Sequence, residues 1–333
     1  MPNLLVPRSW RCRCKRVIFF RNSICVACKT ELGYEPLRAR LIPVAAHHKR
    51  CANFHTAAGC NWLVKEKTQT LCMACRLNHT IPGLSVPGND ILWNRIETAK
   101  RRAISSLIAM GLSLDGLSFD LLAGAMTGHA NGLITINIDE AKDSRREQTR
   151  EEMNEPYRTL LGHFRHELGH FYWDKLIRPD PAAFRQVFGD EQLDYATTLA
   201  AYHENGPKTD WPLNYISAYA SSHPWEDWAE TWAHYMHMLD TLATARSYGL
   251  GRNLNLPFEP FTEPDDRAFL DLLNDWIRLS MVTNEMDRAM GQHDSYPFVL
   301  TRSVVNKLHF IHCRVGAGAC SSGSSLPAPN ANP

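Results

Sequence analysis

Two histidines four residues apart, with a glutamate beside the first, can hold a metal ion and activate water on it. The run His163-Phe164-Arg165-His166-Glu167-Leu168-Gly169-His170 carries that HExxH arrangement. At 3.6 residues per turn His166 and His170 stand one above the other on a single helix face, so both imidazoles can reach one ion. Glu167 is then placed to take a proton from a zinc-activated water rather than to bind the metal. The chemistry implied is metal-assisted hydrolysis. With 15 His in 333 residues, composition alone yields such a motif in roughly one chain in twenty-five, so its weight depends on what else converges on it.

The motif needs a helix and a third ligand. Tyr157, Leu161, Phe164, Leu168 and Phe171 recur at helical spacing and form an apolar stripe away from the histidines, with Asn154 and Pro156 marking a start. A catalytic zinc takes three protein groups and keeps a fourth position open for water. Trp173 and Leu176 stand where a glycine and a third histidine would be needed, which excludes the all-histidine pattern. Two acidic segments remain. Glu191, within Gly189-Asp190-Glu191-Gln192-Leu193-Asp194, resembles the glutamate ligand of thermolysin-like enzymes in its distance downstream, or else begins a helix. The segment from His223 to His234 reads as a helix with Pro224 in its first turn and a stripe of tryptophans. Glu226 and Glu230 share a face there, so one can bind zinc while the other accepts the free ring N–H of a ligating histidine, and Asp227 points elsewhere. That division of labour makes Glu226 the stronger candidate and leaves Glu191 open. Tyr219, seven residues before Glu226, and Tyr215 are the nearest phenols that could hold an oxyanion.

Upstream, Thr127 to Ile138 alternates apolar and polar residues around two glycines and reads as a strand. It is expected to be a core strand, or an edge along which an extended peptide could add through main-chain hydrogen bonds. His129 reads as a turn or capping residue.

Eight of the ten cysteines fall in the first eighty residues, as close pairs. Cys12, Cys14, Cys25 and Cys28 make one four-cysteine zinc site; Cys51, Cys60, Cys72 and Cys75 make another. No secretory apolar stretch precedes them, so a reducing, cytoplasmic setting is expected, with structural zinc favoured over disulfides. Such closed sites supply folding free energy rather than catalysis. Residues 1 to 80 hold 14 Lys or Arg against 3 Glu and no Asp, a balance of +11. The whole chain is +1, which leaves about −10 for the rest, so the two parts can attract one another or different partners. Aromatic residues are too sparse in the basic part for a nucleic-acid stacking platform, which favours a docked or protein-binding module.

Pro82, Pro87 and Gly88 mark a linker, and Ile91 to Met110 reads as an amphipathic helix carrying Lys100, Arg101 and Arg102. Further helical patterns cover residues 264 to 291 and 300 to 311. The division expected is a cysteine-rich module over 1–82, a larger domain over 88–312, and a disordered tail over 313–333 rich in Gly, Ser, Ala, Pro and Asn. Cys313 and Cys320, in or near that tail, receive no role. No run of about twenty apolar residues exists to span a membrane.

The HExxH, Tyr219, and the glutamates opening an ExxAE helix at Glu226 and Glu230 resemble zinc proteases of the lethal-factor type, residue by residue. That resemblance is the main ground for a catalytic Tyr219. Over a longer span, Cys51-Ala52-Asn53, Cys60-Asn61-Trp62, the run Gly162 to Glu167 and the run His223 to Glu230 resemble a bacterial family of zinc-binding metallopeptidases with an N-terminal zinc ribbon. The likeness covers about residues 8 to 312. Lys15 departs from it, because the family often has glycine after the first cysteine pair, which bears on the local turn.

The expectation is an α+β protein: a mainly helical, zincin-like (gluzincin-like) domain with a small sheet, preceded by a zinc ribbon with two four-cysteine sites. It would be a zinc-dependent endopeptidase acting on peptide or protein substrates, with three zinc ions, one catalytic and two structural. His166, His170 and Glu226 would bind the catalytic zinc, Glu167 activate water, Tyr219 stabilise the oxyanion, and Glu230 orient a ligand. The competing class is a non-catalytic zinc protein that binds a protein or nucleic acid through its basic ribbon.

Overall fold

The computed structural model describes residues 5–66, 68–145, 159–250, 254 and 258–316. It is an α+β structure in which a cysteine-rich N-terminal module packs against a helical body with one small sheet.

The module is built from two short antiparallel hairpins, β1 (Ser9–Arg11) with β2 (Val17–Phe19) and β3 (Leu32–Glu35) with β4 (Arg40–Pro43). Little apolar surface is available in strands of three or four residues. The buried set consists largely of the cysteines themselves with Ile18, Leu32, Tyr34, Leu41 and Trp62. A core this small leaves much of the folding free energy to metal at the cysteines.

The sheet of the body runs in the order β5 (Asn78–Thr80), β6 (Ser118–Leu122), β8 (Leu133–Asn137), β7 (Gly128–Ala130). Phe119, Leu121, Ile134 and Ile136 alternate with half-buried neighbours, the period-two pattern of a sheet covered on one face. The run from Thr127 to Ile138 is therefore not the single strand expected. Asn131 and Gly132 take positive φ values of 51° and 84° and fold it into a hairpin, the two-residue turn that an Asn-Gly pair favours between right-twisted strands. β8 is internal and β7 is the edge. His129 caps this turn, its Nε2 accepting the Gly132 N–H at 3.1 Å. β5 lies within the segment assigned to the ribbon yet pairs in parallel with β6, so the module's last strand extends the body's sheet.

Helix α1 (Asn89–Ala109) buries Ile96, Ala103, Ile104 and Leu107. It also buries Lys100 and Arg101, which its amphipathic pattern does not suggest. Glu97, fully buried, accepts from Lys100 at 2.6 Å and lies 3.5 Å from Arg101. Charges removed from water persist where they are paired. Arg101 also donates to Ala58 O at 2.9 Å, and Asn78 donates to Glu97 at 2.7 Å, which ties the module to α1.

Helix α2 (Leu160–Leu176) carries the HExxH; Thr159 caps it, its hydroxyl accepting the Gly162 N–H at 2.9 Å. The start expected at Asn154 and Pro156, and Tyr157 of the stripe, lie outside the described residues. Phe164, Leu168 and Phe171 of the stripe are buried. After α3 (Ala182–Phe188), α4 (Tyr195–Asn205) and the short α5 (Trp211–Asn214) comes α6 (Pro224–Ser247), the longest described helix. It begins at Pro224 with His223 as its cap and buries Trp228, Trp232, Tyr235 and Leu239 against α2 and its neighbours. Helices α7 (Arg267–Ala289) and α8 (Arg302–Val315) close the far side. α8 runs to Val315, so the first residues assigned to a disordered tail, Cys313 included, are helical; Cys320 lies outside the described residues. No helix among the described residues is long and apolar enough to cross a membrane.

Candidate metal centre and active-site cleft

Helices α2 and α6 pack so closely that their facing side chains converge. A Cβ built on Gly169 would lie 2.9 Å from Ala229 Cα, a separation no side chain tolerates, and the Trp228 indole donates to Gly169 O at 2.8 Å. The glycine within the HExxH run thus lets α6 approach near enough for Glu226 to reach the two histidines.

His166 Nε2 lies 3.1 Å from His170 Nε2 and 3.1 Å from Glu226 Oε2, and His170 Nε2 lies 3.4 Å from Glu226 Oε1. Ligands about 2.0–2.1 Å from a tetrahedral zinc stand about 3.3 Å apart, so this triangle fits one ion. All three side chains are buried, and the Glu167 side chain beside them has a buried oxygen, Oε2, with no hydrogen-bond partner among the described residues. Burial works against the charge on Glu226, yet the neighbouring His170 and His166 hold its carboxyl well below the usual range.

Around this triangle stands a ring of orienting groups. His166 Nδ1 donates to Glu230 Oε1 at 2.7 Å, and Ser217 Oγ donates to Glu230 Oε2 at 2.7 Å. Despite burial, His166 holds the Glu230 carboxyl down at about 2. Tyr195, at the start of α4, donates its hydroxyl to Glu226 Oε1 at 2.8 Å. Sequence reasoning missed it; α4 shows no strong apolar face, and only Asp194 as a capping residue marked its start. Tyr219 sits in the turn before α6 with its ring centroid 6.1 Å from that of His166. Burial first, then the charge of Glu226, raises both phenols above their ordinary range, so they serve as hydrogen-bond donors. Trp225 packs against His170, ring centroids 3.8 Å apart and planes tilted by 39°.

The structure does not bring Glu191 to this cluster. It pairs with Arg185, 2.5 Å from the guanidinium, and Glu226 occupies the third corner. Asp227 points to the other side of α6, buried against Lys307 at 2.6 Å; burial raises its carboxyl to about 7. Tyr215 lines the cleft and accepts from Lys208 at 2.8 Å.

A cavity of about 770 Å³ opens beside His166 and Glu167. It is lined by the apolar and aromatic side chains of Trp211, Tyr215, Ile216 and Phe298 and by the polar ones of His163, Glu140 and Tyr219.

The eight N-terminal cysteines form the two expected groups, Cys12, Cys14, Cys25 and Cys28, and Cys51, Cys60, Cys72 and Cys75. All eight are free thiols. The sulfurs stand 3.5 Å apart for Cys12 and Cys28, 3.7 Å for Cys14 and Cys25, and 3.6 Å for Cys60 and Cys72. A tetrahedron with zinc to sulfur distances of about 2.3 Å has edges of about 3.8 Å, and a disulfide is about 2 Å long, so both groups fit zinc. The Thr30 hydroxyl, 3.0 Å from Cys28 Sγ, and the Thr30 backbone hold the Cys28 thiol down at about 6. Lys15 and Lys29, each directly after a cysteine pair, adopt left-handed φ values of 67° and 58°. The conformation that suits glycine is kept at Lys15 although the side chain is not.

The module's Arg8 reaches into the body. Asp240 on α6 binds Arg8 at 2.7 Å, Arg102 of α1 at 2.6 Å and Arg165, the residue before His166, at 2.8 Å. One buried carboxylate thereby joins the N-terminal segment, α1, α2 and α6.

A basic module with two four-sulfur sites, packed on a helical body with an HExxH site, defines a class of zinc proteins, and the chain belongs to the family described as "Putative zinc-binding metallo-peptidase", matched over residues 89–314. Residues 9–86 match a zinc-ribbon domain. The chain is 40% identical over 324 residues to a protein of Mycobacterium bovis and to two from strains of Mycobacterium tuberculosis, covering 92% of this chain and 94% of each relative. All three are described as uncharacterized proteins. No solved structure matches.

Proposed function

We propose that the chain is a zinc-dependent endopeptidase with a zincin-like catalytic domain. The observation that carries this reading is the convergence of His166, His170 and Glu226 at 3.1–3.4 Å beside an open cavity, with Glu167 next to them. Three ligands and an open side distinguish a catalytic from a structural site.

Bound there, zinc would polarise the scissile carbonyl and make water acidic enough to attack near neutral pH. Glu167 takes the proton from the attacking water and returns it to the leaving amine. Tyr219, held protonated, donates a hydrogen bond to the oxyanion of the tetrahedral intermediate. Glu230 fixes the tautomer of His166, so that Nε2 is the ligand atom. Tyr195 takes up one oxygen of Glu226. The lining by Trp211, Tyr215, Ile216 and Phe298 suits a large apolar substrate side chain. The two four-cysteine groups hold structural zinc, for three ions in all.

The test joins zinc stoichiometry of wild type, His166→Ala and Glu226→Ala with cleavage of quenched peptides by wild type and Glu167→Ala. Three zincs falling to two, and cleavage dropping about 10²–10⁴-fold in Glu167→Ala with zinc retained, are the expected results. A wild type that binds two zincs and cleaves nothing would leave the ribbon as the functional part, binding a partner through its basic surface.

A further inference from the structure

One imidazole in the cleft has no part in that mechanism. His163 stands four residues before Glu167 on α2, the spacing that places two side chains on the same helix face, and both line the cavity. Its ring centroid is 6.5 Å from that of His166, and it is not a member of the metal-binding triangle.

The ring is held from behind. His163 Nδ1 bonds Glu140 Oε2, and the Thr127 hydroxyl donates to Glu140 Oε1. Thr127 Oγ1 in turn accepts the Asn137 N–H at 3.0 Å. Glu140 lies in the 3-10 turn Ile138–Ala141 directly after β8, and Thr127 directly precedes β7, so the two ends of the hairpin fix one carboxylate. The side chains of His163 and Glu140 are only 21% and 17% exposed.

A carboxylate accepts at Nδ1, so the hydrogen bond to Glu140 fixes the ring so that its neutral tautomer carries the proton on Nδ1 and offers Nε2 as a lone-pair acceptor. No side chain or backbone group among the described residues bonds Nε2 of His163. An acceptor of fixed tautomer lining a cleft, one turn from the general base, is suited to a peptide's main-chain N–H.

We infer that His163 is a substrate-binding residue whose Nε2 accepts a hydrogen bond from a main-chain N–H of an extended peptide, with Glu140 and Thr127 as its positioning residues. The inference rests on the peptidase reading. It adds a contact to the backbone, and so affinity for peptides as a class without dependence on side-chain sequence.

Calorimetric binding of two probes to the full, zinc-loaded chain tests it: acetohydroxamate, which engages only the metal, and a tripeptide hydroxamate, which adds main-chain N–H groups. His163→Phe is expected to keep its zinc and its acetohydroxamate affinity and to lose about tenfold for the tripeptide probe. His163→Gln, whose amide oxygen reaches a similar position, should recover part of that loss. Among tripeptide probes N-methylated at one amide each, one should bind wild type about tenfold more weakly and lose nothing further in His163→Phe, the signature of a shared contact. Loss of zinc, equal weakening of both probes, or unchanged tripeptide binding in His163→Phe would overturn the inference. If wild type itself takes up no zinc at the histidines, or binds neither probe, it is the peptidase reading that fails, and the inference falls with it.

Discussion

Gly169 and Ala229 form the closest approach between α2 and α6: a Cβ on the glycine would meet Ala229 Cα at 2.9 Å and Ala229 O at 3.2 Å. Backbone and a neighbouring helix cannot give way as a flexible side chain can. Gly169→Val is expected to push the helices apart, move Glu226 away from His166 and His170, and lower zinc affinity well before it unfolds the body. Zinc titration alongside far-UV circular dichroism checks this; unchanged affinity would show that the helix spacing does not set the triangle.

Groups one step out from the triangle should separate by what they do. Glu230→Ala and Tyr195→Phe remove hydrogen bonds to His166 and to Glu226, the proposed zinc ligands. Each is expected to weaken zinc binding about 10–100-fold. Tyr219→Phe should keep zinc and lower kcat about 10²–10³-fold with little change in KM, because in the proposed mechanism its donor acts on the oxyanion alone. A competition assay against a chelator and steady-state kinetics read the two effects.

Lys15 and Lys29 adopt backbone conformations that a side chain disfavours. Replacing either by glycine relieves steric cost of about 1–2 kcal/mol, partly offset by the greater freedom of glycine in the unfolded chain. Thermal melting of the zinc-loaded protein should show each substitution stabilising by about 0.5–1 kcal/mol.

Acid should unfold the protein in two stages. Burial holds His129 and His234 neutral, at about 4 in the folded state. Their ordinary value is near 6.5, so between about pH 6.5 and 4 the unfolded chain binds more protons and stability falls as pH falls. Asp240 acts lower down. Burial opposes its charge, but Arg8, Arg102 and Arg165 hold it below the carboxylate range, so its contribution is complete above about pH 4 and is lost as pH drops through the folded value. Denaturant midpoints from pH 8 to about 1.5 test the order of the two stages.

Asp240→Ala should be severe at neutral pH, because it leaves three guanidinium groups with a buried partner missing. A loss of about 3–5 kcal/mol is expected. Separation of the N-terminal segment from the body, seen as faster proteolysis near Arg8, should accompany it.

Local chemistry was legible in the chain wherever the spacing of residues along one element decides geometry. His166, Glu167 and His170 share a helix face by periodicity, Glu226 and Glu230 share another, and Pro224 marks where that helix starts. The cysteine pairs group as their order suggests, because short loops bring near neighbours together first. The Asn131-Gly132 turn was also written in the chain, but the alternation on either side masked it.

What only the tertiary structure decided are the relations between elements. That Glu226 rather than Glu191 completes the triangle depends on how near α6 comes to α2, which Gly169 and Ala229 set by contact. That Tyr195 reaches Glu226, that Glu140 holds His163, and that Asp240 gathers arginines from three segments depend on packing between residues 23 to 232 positions apart in the chain. Periodicity describes one element at a time; it carries no information on which faces meet, because that is settled by the total apolar surface buried and by the pairing of every charge left inside.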